Sequence, residues 1–143
     1  MTTAVSSGQS NHVAFNRLLW VGPLTILAAM IANTIVWQIA VAILQPDPAF
    51  TPLTSPASIV FTFFGVLGAV VAFAVIGRIS KNPITLFRRV ALIALVLSFI
   101  PDLMMLWSGS FPGTTLANML ALMLMHVVAY AISVYMLTRW ASA

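Results

Sequence analysis

Apolar residues fall in four long runs along this chain, separated by short clusters rich in proline, glycine, serine or charge. Each run is close to the roughly 20 residues that an α-helix needs to cross about 30 Å of hydrocarbon. The first helix is expected over 18–44 and contains no charged residue. It should stop at Gln45-Pro46-Asp47-Pro48, because proline cannot continue a helix and restricts the residue before it. The second is expected over 58–78, with Ser55 as N-cap and Pro56 at the first helical position. The third, over 83–107, repeats that signature with Asn82 and Pro83. The link 108–113 is turn chemistry, and the fourth helix follows over 115–139. Helices and no strands are expected, since a spanning helix satisfies its own backbone groups within lipid.

The predicted fold class is therefore all-α: a polytopic four-transmembrane-helix bundle forming a single domain over 15–143. Residues 1–14 read as a flexible cytoplasmic tail, because the opening stretch is small and polar. A cleaved signal peptide is not expected, as the first apolar run is long and lacks a basic leader.

Composition agrees with this picture. Of the 143 residues, 62% are hydrophobic and 6% charged, too few charges to cover a water-exposed surface. The net charge of +4 comes from six basic residues, far short of a patch that tracks phosphates, so no nucleic-acid partner is expected. Their positions have another meaning. Arg17 precedes the first helix; Arg78, Lys81, Arg88 and Arg89 surround the second link; Arg139 ends the last helix. All fall on one face, while the opposite loops hold Asp47 and no basic residue. The positive-inside rule then gives N-in/C-in, with the basic face cytoplasmic. Trp20 and Trp140 at that interface and Trp107 at the other fit an aromatic belt. Cysteine is absent, which excludes disulfides, thiolate metal sites and cysteine nucleophiles.

Function should show in polar residues at membrane depth, because lipid offers them no partners. Asp102 is one of only two acids and lies in the outer third of the third helix. Pro101 beside it frees the carbonyl of Leu97 and favours a kink that opens space at the carboxyl. The competing reading is an acid that reaches the outer headgroups or a protonated carboxyl bonded to a neighbouring helix, although a short Asp cannot snorkel. His126, near the middle of the fourth helix, begins a stripe continued by Tyr130 and Ser133. It is read either as structural glue between helices or as a group for proton exchange or ligand contact. A lone membrane His without a second ligand gives no metal site. By depth alone, Asp102 and His126 are about 8 Å apart, so direct pairing would need a tilt or a bridging water.

Asn33, Gln38, Ser98 and Asn118 complete the candidates. Together with Asp102, His126 and Tyr130 they suggest a ligand-binding polar track opening to the extracytoplasmic side, with Asp102 and His126 the candidates for catalysis. In the second helix, Gly65-x-x-Gly68 with Ala69 and Ala72 suggests a strip for close helix packing, within the bundle or between protomers. Thr62 is its polar content, so that helix is expected to supply walls.

Asn33, Gly65-x-x-Gly68, Ser98-x-x-Pro101 and Met125-His126 resemble the pattern of a bacterial family of small four-helix membrane proteins, a domain of unknown function. The resemblance spans about 18–139 and implies a multi-pass protein of the bacterial inner (plasma) membrane. It brings no activity with it, and the cofactor stays unknown. Two classes of function stay open. One is an accessory or binding bundle, holding an apolar small molecule in the bilayer, joining a larger membrane complex or forming a homo-oligomer. The other is an intramembrane enzyme or proton-coupled carrier using Asp102 and His126. The first is preferred, because no complete catalytic constellation is visible.

Overall fold

The computed structural model describes residues 11–143, and among them the chain is a bundle of four long helices. These are α1 (Phe15–Leu44), α2 (Ser55–Ile79), α3 (Pro83–Ser108) and α4 (Leu116–Trp140), with a single 3-10 turn at Thr51–Leu53. All four are long and apolar enough to cross a membrane. Large apolar side chains such as Leu19, Ile43, Phe61 and Leu97 are exposed along their outer faces, as lipid as solvent demands. The chain is a multi-pass membrane protein.

Local chemistry sets the ends. Gln45 closes α1 in the left-handed region (φ 44°), donating its N–H to the carbonyl of Val41, and Pro46 prevents continuation. α2 starts at Ser55, with Thr54 in the N-cap position that sequence assigned to Ser55. The Thr54 hydroxyl donates back to the Thr51 carbonyl, so it caps the preceding 3-10 turn and not α2. Asn82 precedes Pro83 at the start of α3, and its side-chain oxygen accepts from Asn11. Thr115 caps α4 by accepting from the Asn118 N–H at 3.2 Å. Gly113 needs to be glycine twice over: its φ is 74°, and a Cβ there would sit 2.5 Å from the Cβ of Asp47.

Two apolar clusters hold the bundle. At the basic end, Leu18, Val21, Phe73, Phe87 and Leu137 pack together, with the Phe73 and Phe87 rings edge-on at 4.9 Å. At the other end, Phe50, Leu53, Met119, Ala121 and Met125 close the bundle beneath the 3-10 turn. Both ends of the described chain lie at the basic end. Ala14 donates to the Ala141 carbonyl at 2.8 Å, and Ala143 to the His12 carbonyl at 2.9 Å. Of the tail expected over 1–14, residues 1–10 lie outside the described residues, whereas Val13 is buried and bridged to Ser142.

Within the bundle, Ala69 and Ala72 of the small-residue strip of α2 pack against the basic-end cluster, but its two glycines do not. A Cβ built on Gly65 or Gly68 meets nothing within 4 Å. Close approach occurs elsewhere, at Gly22, where a Cβ would lie 3.0 Å from Val70 Cγ1 of α2. Spacing identified small residues but could not fix which side of α2 faces α1.

Candidate functional site

Helix α3 is nearly all lipid-facing, and it buries only Pro83, Phe87 and Asp102. A helix that leaves most of its leucines exposed while burying its acid is packed around that acid. Asp102 is 4% exposed. Its Oδ2 lies 3.2 Å from Nδ1 of His126 on α4. The direct contact replaces the separation of about 8 Å expected from depth, so the two residues stand closer in level than a count of helix rise from the outer ends gives. The ring N–H is not aligned on the carboxyl oxygen, so the contact is close but not a directed hydrogen bond. The rest of the imidazole is accessible, the side chain being 38% exposed.

Facing this pair across the bundle, Asn33 of α1 is buried and donates from Nδ2 to Thr62 Oγ1 of α2 at 2.9 Å. Ser58, one turn from Thr62 on the same face, is also buried. Ser98 of α3 donates to the Leu95 carbonyl at 2.6 Å. All of these groups border one cavity of about 470 Å³. Its remaining wall is apolar: Pro52, Phe61, Phe64, Gly65, Pro101, Met105, Leu122 and Met125. Phe61, Phe64, Gly65 and Pro101 are exposed, which puts the mouth between α2 and α3, toward lipid.

Four buried side-chain atoms among the described residues have no hydrogen-bond partner: Asn33 Oδ1, Ser58 Oγ, Asp102 Oδ2 and His126 Nδ1. Each belongs to a residue lining this cavity. Buried polar atoms are nearly always satisfied, and an orphan costs about 1–3 kcal/mol. All four sit in the walls of this one space, Asp102 Oδ2 and His126 Nδ1 against each other, and they concentrate the polar groups of an otherwise oily wall.

Of the seven candidates from sequence, Asn33, Ser98, Asp102 and His126 share this cavity. Gln38 is exposed on the outside of α1. Five residues of helix turn it about 140° away from Asn33, so similar depth did not mean the same face. Asn118 is tied into the start of α4, donating from Nδ2 to the Gly113 carbonyl at 3.0 Å. Tyr130 lies about one turn beyond His126 toward the basic end and does not line the cavity. The Phe50–Leu53–Met119 cluster fills the space between the polar groups and the loop end.

Sequence reading passed over α2 as a chemical element. Thr62 and Ser58 are the residues it missed; their i, i+4 spacing on an apolar helix was the available signal. No group of three or more His, Asp or Glu side chains that could hold a metal occurs among the described residues.

The model of a protein family, described as a family of unknown function (DUF6069), matches residues 13–143. No curated protein and no solved structure matches the chain.

Proposed function

The chain belongs to DUF6069, a family of unknown function, and we propose that it binds a lipid-soluble molecule with a polar head in the cavity between α2 and α3. The observation carrying this reading is that four buried polar atoms without a hydrogen bond, two of them in the Asp102–His126 contact, belong to residues bordering one apolar-walled space. At about 470 Å³ the cavity is within the range of small-molecule sites, and its plan is typical: apolar walls with a few placed polar groups. The mouth faces lipid, so the ligand reaches the site from the bilayer with its tail along Phe61 and Phe64. Its head is a hydroxyl, carbonyl or carboxyl group, short enough to meet Asp102, His126 and Asn33. The carboxyl offers an acceptor, the imidazole either a donor or an acceptor, and the Asn33 carbonyl an acceptor.

The setting of this reading is a bacterial inner membrane, with both termini in the cytoplasm and the cavity in the outer half of the bilayer. The one-sided distribution of the six basic residues supports that orientation. Gly65 and Gly68, free of neighbours within the bundle, leave α2 a face for a second copy or for a subunit of a larger complex.

A second reading has its own support. The Asp102–His126 contact at 3.2 Å joins a buried acid to a base that reaches the mouth. Such a pair can pass a proton to or from a ligand head, the elementary step of a proton-coupled carrier or an intramembrane enzyme.

The test is a ligand series on purified protein in mild detergent. A long-chain alcohol and a long-chain carboxylic acid should raise the thermal midpoint, whereas an alkane of equal length should not. Equal stabilisation by all three would mean that the polar groups do not select the ligand, and the reading would be abandoned.

A further inference from the structure

The two ring nitrogens of His126 have different surroundings. Nδ1 is buried and lies 3.2 Å from Asp102 Oδ2. Nε2, across the ring, is on the accessible side of a side chain that is 38% exposed and borders the α2–α3 cavity. The ring lies beside that of Phe99, centroids 6.3 Å apart, and no side chain among the described residues hydrogen-bonds to Nε2. Resting on the reading of that cavity as a ligand site, we propose that Asp102 and His126 form an electrically neutral pair. His126 Nε2–H is thereby a fixed hydrogen-bond donor, and the ligand is a lipid whose head is a neutral carbonyl, as in a ketone or an ester.

Charge balance decides the tautomer. A bare ring lone pair facing a carboxylate oxygen at 3.2 Å would be repelled, so at least one of the two atoms carries a proton. A carboxylate facing an imidazolium puts protons on both ring nitrogens. A carboxylic acid facing a neutral imidazole points its own proton at Nδ1, the acid being the stronger donor and the ring nitrogen the stronger acceptor, and the ring proton then sits on Nε2. A carboxylate facing a neutral ring protonated at Nδ1 leaves Nε2 bare, but that arrangement carries a net negative charge. No other titratable side chain borders the cavity among the described residues, and its α1 and α2 walls offer Asn33, Ser58 and Thr62 as their polar groups. An unanswered charge in an apolar wall at membrane depth is expensive, so the neutral arrangements win. Both put a proton on Nε2.

A donor on the lipid side of a bundle finds no acceptor in hydrocarbon, and a carbonyl oxygen supplies one without bringing a charge. An ammonium head would set donor against donor. Alcohols and protonated acids also offer an oxygen to Nε2, so the acceptor-only ketone is the discriminating head. Asp102 is in this account a positioning residue: it does not touch the ligand, and it sets which ring nitrogen carries the proton.

The experiment is nitrogen NMR of isotopically labelled histidine in the full chain in mild detergent, with His12→Gln leaving His126 as the one imidazole. His12 is exposed, and its contact with Ala143 is made by its backbone carbonyl, which the substitution keeps. At neutral pH Nε2 should resonate as a protonated ring nitrogen; a bare Nε2 beside a protonated Nδ1 would overturn the proposal. A long-chain methyl ketone should raise the thermal midpoint and shift the Nε2 resonance, and an alkylammonium of equal length should do neither. His126→Phe, which keeps a ring and loses the N–H, should bind the ketone about tenfold more weakly. If that variant does not fold, the resonance measured on the unaltered cavity still decides. Stabilisation by the long-chain alcohol but not by the ketone would leave the cavity a ligand site and overturn this inference alone. Equal stabilisation by alkane, alcohol and ketone would overturn both.

Discussion

Asp102 Oδ2 and His126 Nδ1 lie 3.2 Å apart, joining the one acid that α3 buries to an imidazole that opens on the bilayer side of the bundle. Each partner explains the other. Without His126, Asp102 would be a carboxyl in an apolar wall; without Asp102, His126 would be a half-exposed ring on a membrane helix.

The pair should be energetically coupled. Asp102→Asn keeps size and hydrogen bonding, so the fold should survive with a loss of no more than about 1–2 kcal/mol. Removing His126 while keeping Asp102 should cost more, because it strands a buried acid. A double-mutant cycle of Asp102→Asn and His126→Leu, read by thermal or denaturant unfolding, should give a coupling of about 0.5–3 kcal/mol. Additive effects would show that the contact is incidental.

Asn33 and Thr62 provide an independent check on the opposite wall. Thr62→Ala removes the acceptor of the Asn33 amide and should cost about 1–3 kcal/mol, since a buried donor is left orphaned. Replacing both together, Asn33→Leu with Thr62→Val, should restore most of that stability while abolishing selectivity for polar ligand heads. Restored stability with unchanged selectivity would place the head group at Asp102 and His126 alone.

Glycine substitutions should separate packing from the cavity. Gly22→Leu forces α1 away from Val70 and should destabilise the bundle by about 1–3 kcal/mol. A Cβ at Gly65 meets nothing in the bundle, so Gly65→Phe should leave the stability of the ligand-free protein within about 0.5 kcal/mol while its ring occludes the mouth. If Gly68→Leu lowers the oligomer size in detergent, the α2 face is a contact between copies.

Helix number and approximate extent were legible in the sequence because lipid imposes a length on every span and proline marks the breaks. Asp47-Pro48 and Asn82-Pro83 show this directly. Depth was legible coarsely: it grouped Asn33, Ser98, Asp102 and His126, which border one cavity, but set Asp102 and His126 about 8 Å apart where they touch. Azimuth was not. All four helices are apolar nearly all round, so no stripe says which side faces inward; Gln38 and Gly65 were grouped by depth and by spacing, and both turned out to face outward. The importance of Ser58 and Thr62 was hidden for the same reason. Hydroxyls on an apolar helix read as filler until the opposite wall is known.

Orientation is tested by reporter fusions. Fusions after Asp47 and after Gly109 should be active outside the cytoplasm, and fusions after Lys81 and at Ala143 should report the cytoplasm. The opposite pattern at these sites would invert the bundle and place its basic end on the outer surface.

The most direct measurement is native mass spectrometry of the protein released from mild detergent, comparing wild type with Gly65→Phe and with Ala94→Phe, a substitution of similar size on an exposed stretch of α3. Ligand occupancy of the α2–α3 cavity predicts a discrete bound mass on wild type and on Ala94→Phe that is lost from Gly65→Phe. Retention of the same bound mass by Gly65→Phe would contradict it, and so would a wild type that carries no mass even when loaded with the stabilising alcohol or acid.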